Sequence, residues 1–137
     1  MDCIFCKIVS GDIPSLKIFE DKKVLAFLDI GPLADGHLLV IPKNHYEKLD
    51  EMTEEDITAI AAVLPRLAKA LIQATGAEGY NLLQNTGECA GQVVKHVHFH
   101  LIPRKPNDGL GYRWPAKKYP EGKDKEIQQK IISQLNS

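Results

Sequence analysis

Three of the five histidines fall at His96, His98 and His100, separated by the apolar Val97, Phe99 and Leu101. A strand has a side-chain period of two, so the three imidazoles share one face and the apolar residues take the other. Neighbouring histidines on that face lie about 6.6 Å apart at their backbones. Such a row suits two chemistries. Imidazoles can be ligands to zinc, copper or iron, or they can be a nucleophile with its supporting acid and base. Three unrelated core histidines are the bland alternative, and histidine's middling preference for burial weighs against it. Spacing alone does not choose between metal and nucleophile. Cys3 and Cys6 form a C-x2-C pair, which on its own fits a redox couple, half a zinc site or chance. Cys89 sits in a glycine-containing loop without a partner nearby in sequence and carries no assigned role.

The elements that position these residues are readable in outline. Leu16 to Phe19 and Val24 to Leu28 flank the polar turn Glu20-Asp21-Lys22-Lys23 and predict a β-hairpin. A third strand is expected over 37–41, ending at Pro42, which lacks a ladder donor. Residues 53–75 predict one long helix. Ile57, Ile60, Ala61, Leu64, Leu67, Ala68, Leu71 and Ile72 form its apolar face, Thr53 its N-cap and Gly76 its stop. Pro65 lies off that face and is expected to remove one backbone bond and kink the helix. Further strands are expected over 80–84 and 93–102, with a loop over 85–92 containing Gly87 and Gly91. Residues 104–122 read as irregular, and 123–135 as a short final helix with Ile127, Ile131 and Leu135 four apart. Hairpin strands with one packed helix predict an α+β single domain spanning residues 1–137, a sheet with helix on one face.

Bulk properties set limits. The 137 residues are 44% hydrophobic and 26% charged, with a net charge of -1, as in an ordinary globular domain. General nucleic-acid binding needs a basic field and is not expected. The sequence shows no apolar run near the length of a membrane span and no signal peptide. A cytoplasmic location follows as the expectation, with cysteines reduced.

The segment Gly91-Gln92-Val93-Val94-Lys95-His96-Val97-His98-Phe99-His100-Leu101-Ile102 resembles the triad motif of the histidine triad (HIT) superfamily of nucleotidyl hydrolases and transferases. The likeness covers about residues 3 to 104. It includes Ile4-Phe5-Cys6-Lys7-Ile8, Leu25-Ala26-Phe27-Leu28-Asp29-Ile30, Gly36-His37-Leu38-Leu39-Val40-Ile41-Pro42-Lys43 and Asn85. It implies a five-stranded antiparallel sheet with one long helix and a short C-terminal helix. It also implies a covalent nucleotidyl-histidine on His98, with His96 supplying a carbonyl to the far nitrogen of His98. His100 would contact phosphate or leaving-group oxygens, and His37 would complete the imidazole cluster. By the same resemblance Phe5, Ile8, Phe27 and Ile30 sandwich a purine base and Asp29 accepts from the ribose hydroxyls. Asn85 and the backbone near Gly91, Gln92 and Val93 then donate to phosphate. Plain core packing for the apolar residues and a turn-capping role for Asp29 are the competing readings.

The resemblance further implies a structural zinc site of Cys3, Cys6, His45 and His96, no metal needed for catalysis, and a homodimer. Val93 stands where the phosphoramidase (Hint-like) branch usually has a serine. Asn85 and Asp29 differ from the glutamine and asparagine of the dinucleoside-polyphosphate (Fhit-like) branch and favour the Hint-like or bacterial branch. The expected substrates are purine nucleotide phosphoramidates, acyl-nucleotides or dinucleoside polyphosphates. A catalytically slow nucleotide-binding regulatory module is the alternative. A metalloenzyme with His96, His98 and His100 on one ion is a third.

Overall fold

A computed structural model describes residues 2–111 and 113–137. Its elements follow the chain as α1 (Ile4–Ser10), β1 (Lys17–Glu20), β2 (Val24–Leu28), β3 (Leu38–Pro42), α2 (Glu54–Thr75), β4 (Gly79–Gln84), β5 (Phe99–Arg104) and α3 (Lys123–Leu135). The five strands form one antiparallel sheet in the order β1-β2-β3-β5-β4. The β1–β2 turn is fixed by Asp21, whose Oδ1 accepts from the N–H groups of Lys23 and Val24 at 2.8 Å each. This is the Asx geometry that lets a short carboxylate mimic a backbone turn.

Both faces of the sheet are covered, and this explains why β2 and β3 read as continuous apolar runs rather than alternating ones. Val24, Ala26, Leu38, Val40, Val97, Phe99 and Leu101 pack on one side against Ile60, Val63, Leu67, Ala68 and Leu71 of α2. Leu25, Phe27, Leu39 and Ile41 pack on the other side against Phe5 and Ile8 of α1. Helix α2 starts where expected: the Thr53 hydroxyl accepts from the Asp56 N–H, and Gly76 closes the helix in the left-handed conformation. It runs unbroken through Pro65, which is solvent-exposed. It is long and apolar enough to cross a bilayer by length and composition, but here it is the core helix that backs the sheet.

Three expectations need correction. The buried face of α2 is rotated relative to the predicted one. Asp56 and Val63 are buried, Ala61 is exposed, and Ile57, Leu64 and Ile72 are only half-buried. The helix lies on a twisted sheet with one stripe, and the remaining apolar residues form a second stripe beside it. Second, strand β5 begins at Phe99 rather than Val93. Pairing with β3 starts at Val40–Phe99, and residues 93–98 are held by other bonds, such as Val97 N–H to Tyr46 C=O at 2.8 Å. Third, α1 is absent from the sequence reading. Seven residues are too few for a periodicity to register, although Cys3 as cap and Gly11 at φ 87° as stop bracket it. The final helix forms as expected, yet Ile131 and Leu135 stay exposed.

Gly36 precedes His37 and sits at φ +94°, where a Cβ would come within 2.8 Å of Thr75 Cγ2 and 2.9 Å of Leu71 Cδ1. Gly36→Ala therefore meets both backbone strain and overpacking at the α2–sheet junction. Urea titration should show a loss of about 1–3 kcal/mol, and an unchanged midpoint would refute this account of the junction.

Candidate active site and metal centre

The strand-like alternation of residues 96–101 survives beyond the hydrogen-bonded ladder. Val97, Phe99 and Leu101 enter the α2 core, and His98 and His100 face the opposite side, where α1 covers the sheet. There they line a cleft of about 410 Å³ together with Phe5, Ile8, Phe27, Asp29, Ile30, Asn85, Gly91 and Val93. Its size and largely apolar wall with a few polar groups at one end are those of a small-molecule site. Ile4, Ile13, Pro14, Ser15, Leu39 and Val94 also line it. They lie in segments whose composition looks like ordinary core or loop, so nothing in the sequence separates them.

The tautomers of the imidazoles follow from fixed partners. A carbonyl can only accept, so His98 must donate its Nδ1–H to the His96 carbonyl, at 2.7 Å. Its Nε2 then carries the lone pair. A backbone N–H can only donate, so the bond from Leu33 N–H to His37 Nδ1, at 3.0 Å, leaves the proton on His37 Nε2. That proton goes to His100 Nδ1 at 2.9 Å, and His100 therefore holds its own proton on Nε2. The rings of His98 and His100 are 5.0 Å apart, centroid to centroid. One lone pair and one N–H thus stand side by side in one cleft. His37 stands behind His100, outside the cleft lining. Burial pushes the His37 imidazole below its ordinary pKa, against the pull of Asp29. Burial, followed by the neighbouring His98 and His37, lowers His100 to about 4.

His96 departs from the other two. Its ring is fully buried. It donates from Nε2 to the Pro42 carbonyl at 2.8 Å, and this leaves the Nδ1 lone pair facing Cys3 Sγ at 3.4 Å and Cys6 Sγ at 3.6 Å. His45 Nδ1 lies 3.3 Å from Cys6 Sγ and 3.1 Å from His96 Nδ1. All four ligand atoms fall within 4.8 Å of one another. A tetrahedron built on zinc bonds of about 2.3 Å to sulfur and about 2.05 Å to nitrogen has edges of about 3.3–3.8 Å. The three sulfur–nitrogen separations, 3.3–3.6 Å, match those edges and the nitrogen–nitrogen one, 3.1 Å, is slightly shorter; the donor types are right, and a carbonyl fixes the His96 tautomer from behind. It can hold a metal. With both nitrogens of His96 committed here, the three triad histidines do not converge on a single ion. The loop bearing His45 is tied down by residues the sequence did not single out. Asp56 accepts from Tyr46 Oη at 2.6 Å and from Asn44 Nδ2 at 2.9 Å, and these bonds hold its carboxyl below the usual range.

The remaining predicted site residues lie at the cleft mouth and in the loop before the histidine segment. Ile30, expected against the base, is 97% exposed, and Val93, whose backbone was expected near phosphate, is 88% exposed; both line the cleft at its mouth. The N–H groups of Gly91 and Gln92 are already bonded, to Glu88 C=O at 2.9 Å and Gly87 C=O at 3.1 Å. Both are consumed by the 88–90 turn and do not point at a phosphate. The Gln92 side chain is buried and latches the loop, reaching Gly87 N–H, Glu47 C=O and Val94 C=O. Asp29 Oδ1 caps the Gly31 N–H at 2.9 Å, the turn role that competed with ribose binding. Its Oδ2 lies 3.6 Å from His37 Nε2.

The depressed His100 and His37 carry a signed consequence. Between about pH 4 and the ordinary histidine value of about 6.5 the unfolded chain binds protons that the native cleft refuses. Stability should therefore fall as pH drops through that window, and His100→Gln should flatten the fall. Denaturant melts of both proteins from pH 7 to pH 4 measure this; parallel curves would refute it.

The HIT domain model matches residues 10–107. Adenosine 5'-monophosphoramidase hnt1 of Schizosaccharomyces pombe is 49% identical over 137 residues, covering 98% of this chain and 99% of the relative. A crystal structure of a HIT-family member from Bacillus subtilis superposes with a TM-score of 0.94 at 44% identity, covering 100% of this chain and 99% of that one. A zinc-bound histidine triad family protein from Mycobacterium smegmatis superposes with a TM-score of 0.76 at 38% identity, covering 99% and 96%. With its triad histidines on and just ahead of β5, its cleft under α1 and these relatives, the chain belongs to the HIT domain family and is a HIT-family hydrolase.

Proposed function

We propose that the chain hydrolyses purine nucleotide conjugates at the α-phosphate, phosphoramidates first among them, through a covalent nucleotidyl intermediate on His98. The observation that carries this reading is the pair of fixed tautomers: a free Nε2 lone pair on His98 beside an Nε2–H on His100, in one cleft. The lone pair attacks phosphorus and forms the N–P bond. The bond to the leaving amine breaks, and the amine takes a proton from water. Throughout, the His100 N–H donates to a phosphoryl oxygen and stabilises the charge that builds there. A second water then adds to phosphorus and gives its proton to the hydroxide left by the first, the His98 N–P bond breaks with its electron pair returning to Nε2, and the nucleotide leaves with His98 restored. Because burial makes His37 and His100 resist protonation, these two rings keep their donor relay at pH 7. Phe5, Ile8 and Phe27 would bind the base. Asp29 Oδ2 would take a ribose hydroxyl, and Asn85 would reach phosphate. The phosphoramidase named among the relatives supports this substrate class.

In the same reading Cys3, Cys6, His45 and His96 hold a structural zinc ion. It would supply no catalytic chemistry and would tie the chain before β1 to the residue whose carbonyl orients His98. We also propose a homodimer. Tyr80 and Leu82 on the edge strand β4, Trp114, and Ile131 and Leu135 of α3 are all exposed and would offer apolar surface to a second copy. Native mass spectrometry should find a species of two 15.2 kDa chains with one zinc ion per chain. A metal-free monomer at micromolar concentration would refute both assignments.

His98→Ala tests the covalent step. Turnover of an adenosine phosphoramidate should fall by several powers of ten, with nucleotide binding retained. Intact-protein mass spectrometry of quenched wild type should show an added nucleotidyl mass that the variant lacks. A variant within about tenfold of wild type, or an adduct on another residue, would remove His98 from that role. A slow regulatory module would instead bind nucleotide and give no adduct in either protein.

A further inference from the structure

Helix α1 belongs to two sites at once. Its N-cap and first turn carry Cys3 and Cys6 of the metal cluster. Its inner face carries Phe5 and Ile8, which are buried and line the cleft. The Phe5 ring meets His98 edge-on with centroids 5.1 Å apart, His96 at 5.9 Å and Phe27 at 5.6 Å. A helix of seven residues does not hold itself together in water, so its place depends on what anchors it. On one side the anchors are the cleft residues, and on the other the cysteine–histidine cluster. The larger core between the sheet and α2 contains no residue of α1. That core therefore stands without the helix, whereas the base-binding wall does not.

We propose that metal and nucleotide are coupled ligands of this protein, joined through α1. An ion on Cys3, Cys6, His45 and His96 fixes the helix and so completes the wall that a base packs against. Nucleotide affinity then rises with metal loading, and by linkage a bound nucleotide tightens the metal by the same factor. The coupling reaches the base and not the phosphate, because His100 and Asn85 lie outside α1 and the His96 residue whose carbonyl orients His98 stays held by its Nε2 bond to the Pro42 carbonyl when the ion leaves. The inference rests on the nucleotide reading of the cleft.

The test compares zinc-loaded protein with the same protein stripped by a chelator, using calorimetric titration with AMP and with ribose 5-phosphate, which lacks the base. Stripping should weaken AMP about tenfold or more and change ribose 5-phosphate by less than about twofold, within the usual range of coupling between sites. The helical far-UV signal of α2 should persist. Conversely, saturating AMP should tighten zinc by that same factor, read by competition with a chromogenic chelator on wild-type protein. Cys6→Ser should reproduce the stripped result, and if it does not fold, the chelator competition decides alone. Equal AMP affinity in loaded and stripped protein overturns the coupling, as does equal loss of both ligands or melting of α2 on stripping. Loaded protein that binds neither ligand refutes the nucleotide cleft itself, a different failure.

Discussion

The hydrogen bond from His98 Nδ1 to the His96 carbonyl is the constraint on which the site depends. It is short, buried and local, just ahead of β5, and because a carbonyl only accepts, it settles which His98 nitrogen has a lone pair. The carbonyl is itself held in place by its residue's ring. His96 donates to Pro42 at the end of β3 and faces the two cysteines with its other nitrogen. A bond that selects a tautomer is thus backed by a strand end on one side and by a four-residue cluster on the other.

A second set of fixed donors works on the far side of the cleft. Leu33 N–H points at His37, His37 at His100, and His100 into the cleft. The chain runs in one direction because its first donor is a backbone amide. Burial keeps these rings neutral, and a protonated His100 would lose the acceptor that His37 requires. The polar end of the cleft is preorganised in this way, while its other end is a wall of Phe5, Ile8 and Phe27.

The sheet serves two cores. The larger one, against α2, gives the chain its stability and carries the apolar half of the histidine segment. The smaller one, under α1, is both part of the fold and the lining of the cleft. Asp56 bridges them. It is a buried residue on α2 whose carboxyl binds Asn44 and Tyr46 on either side of His45, so that the long helix also places a residue of the metal cluster.

The sequence by itself determined the family, the hairpin, the long helix with its Thr53 and Gly76 ends, and the alternation that sends Val97, Phe99 and Leu101 inward. These are local properties: period, cap chemistry and motif order are all contained in a few neighbouring residues. It also picked out the four members of the cysteine–histidine cluster, through resemblance. What only the tertiary structure decided depends on distant partners. The rotation of α2 follows from the twist of the sheet it lies on. The short strand β5 follows from where β3 begins to pair. The use of the Gly91 and Gln92 amides inside their own turn, and of Asp29 as a cap, follows from loop closure. Helix α1 was invisible because seven residues carry no periodic signal and owe their position to contacts up to 93 residues away, such as Cys3 with His96. The direction of each imidazole proton was likewise beyond the sequence, since it is dictated by a backbone carbonyl or amide that only folding brings within 3.0 Å.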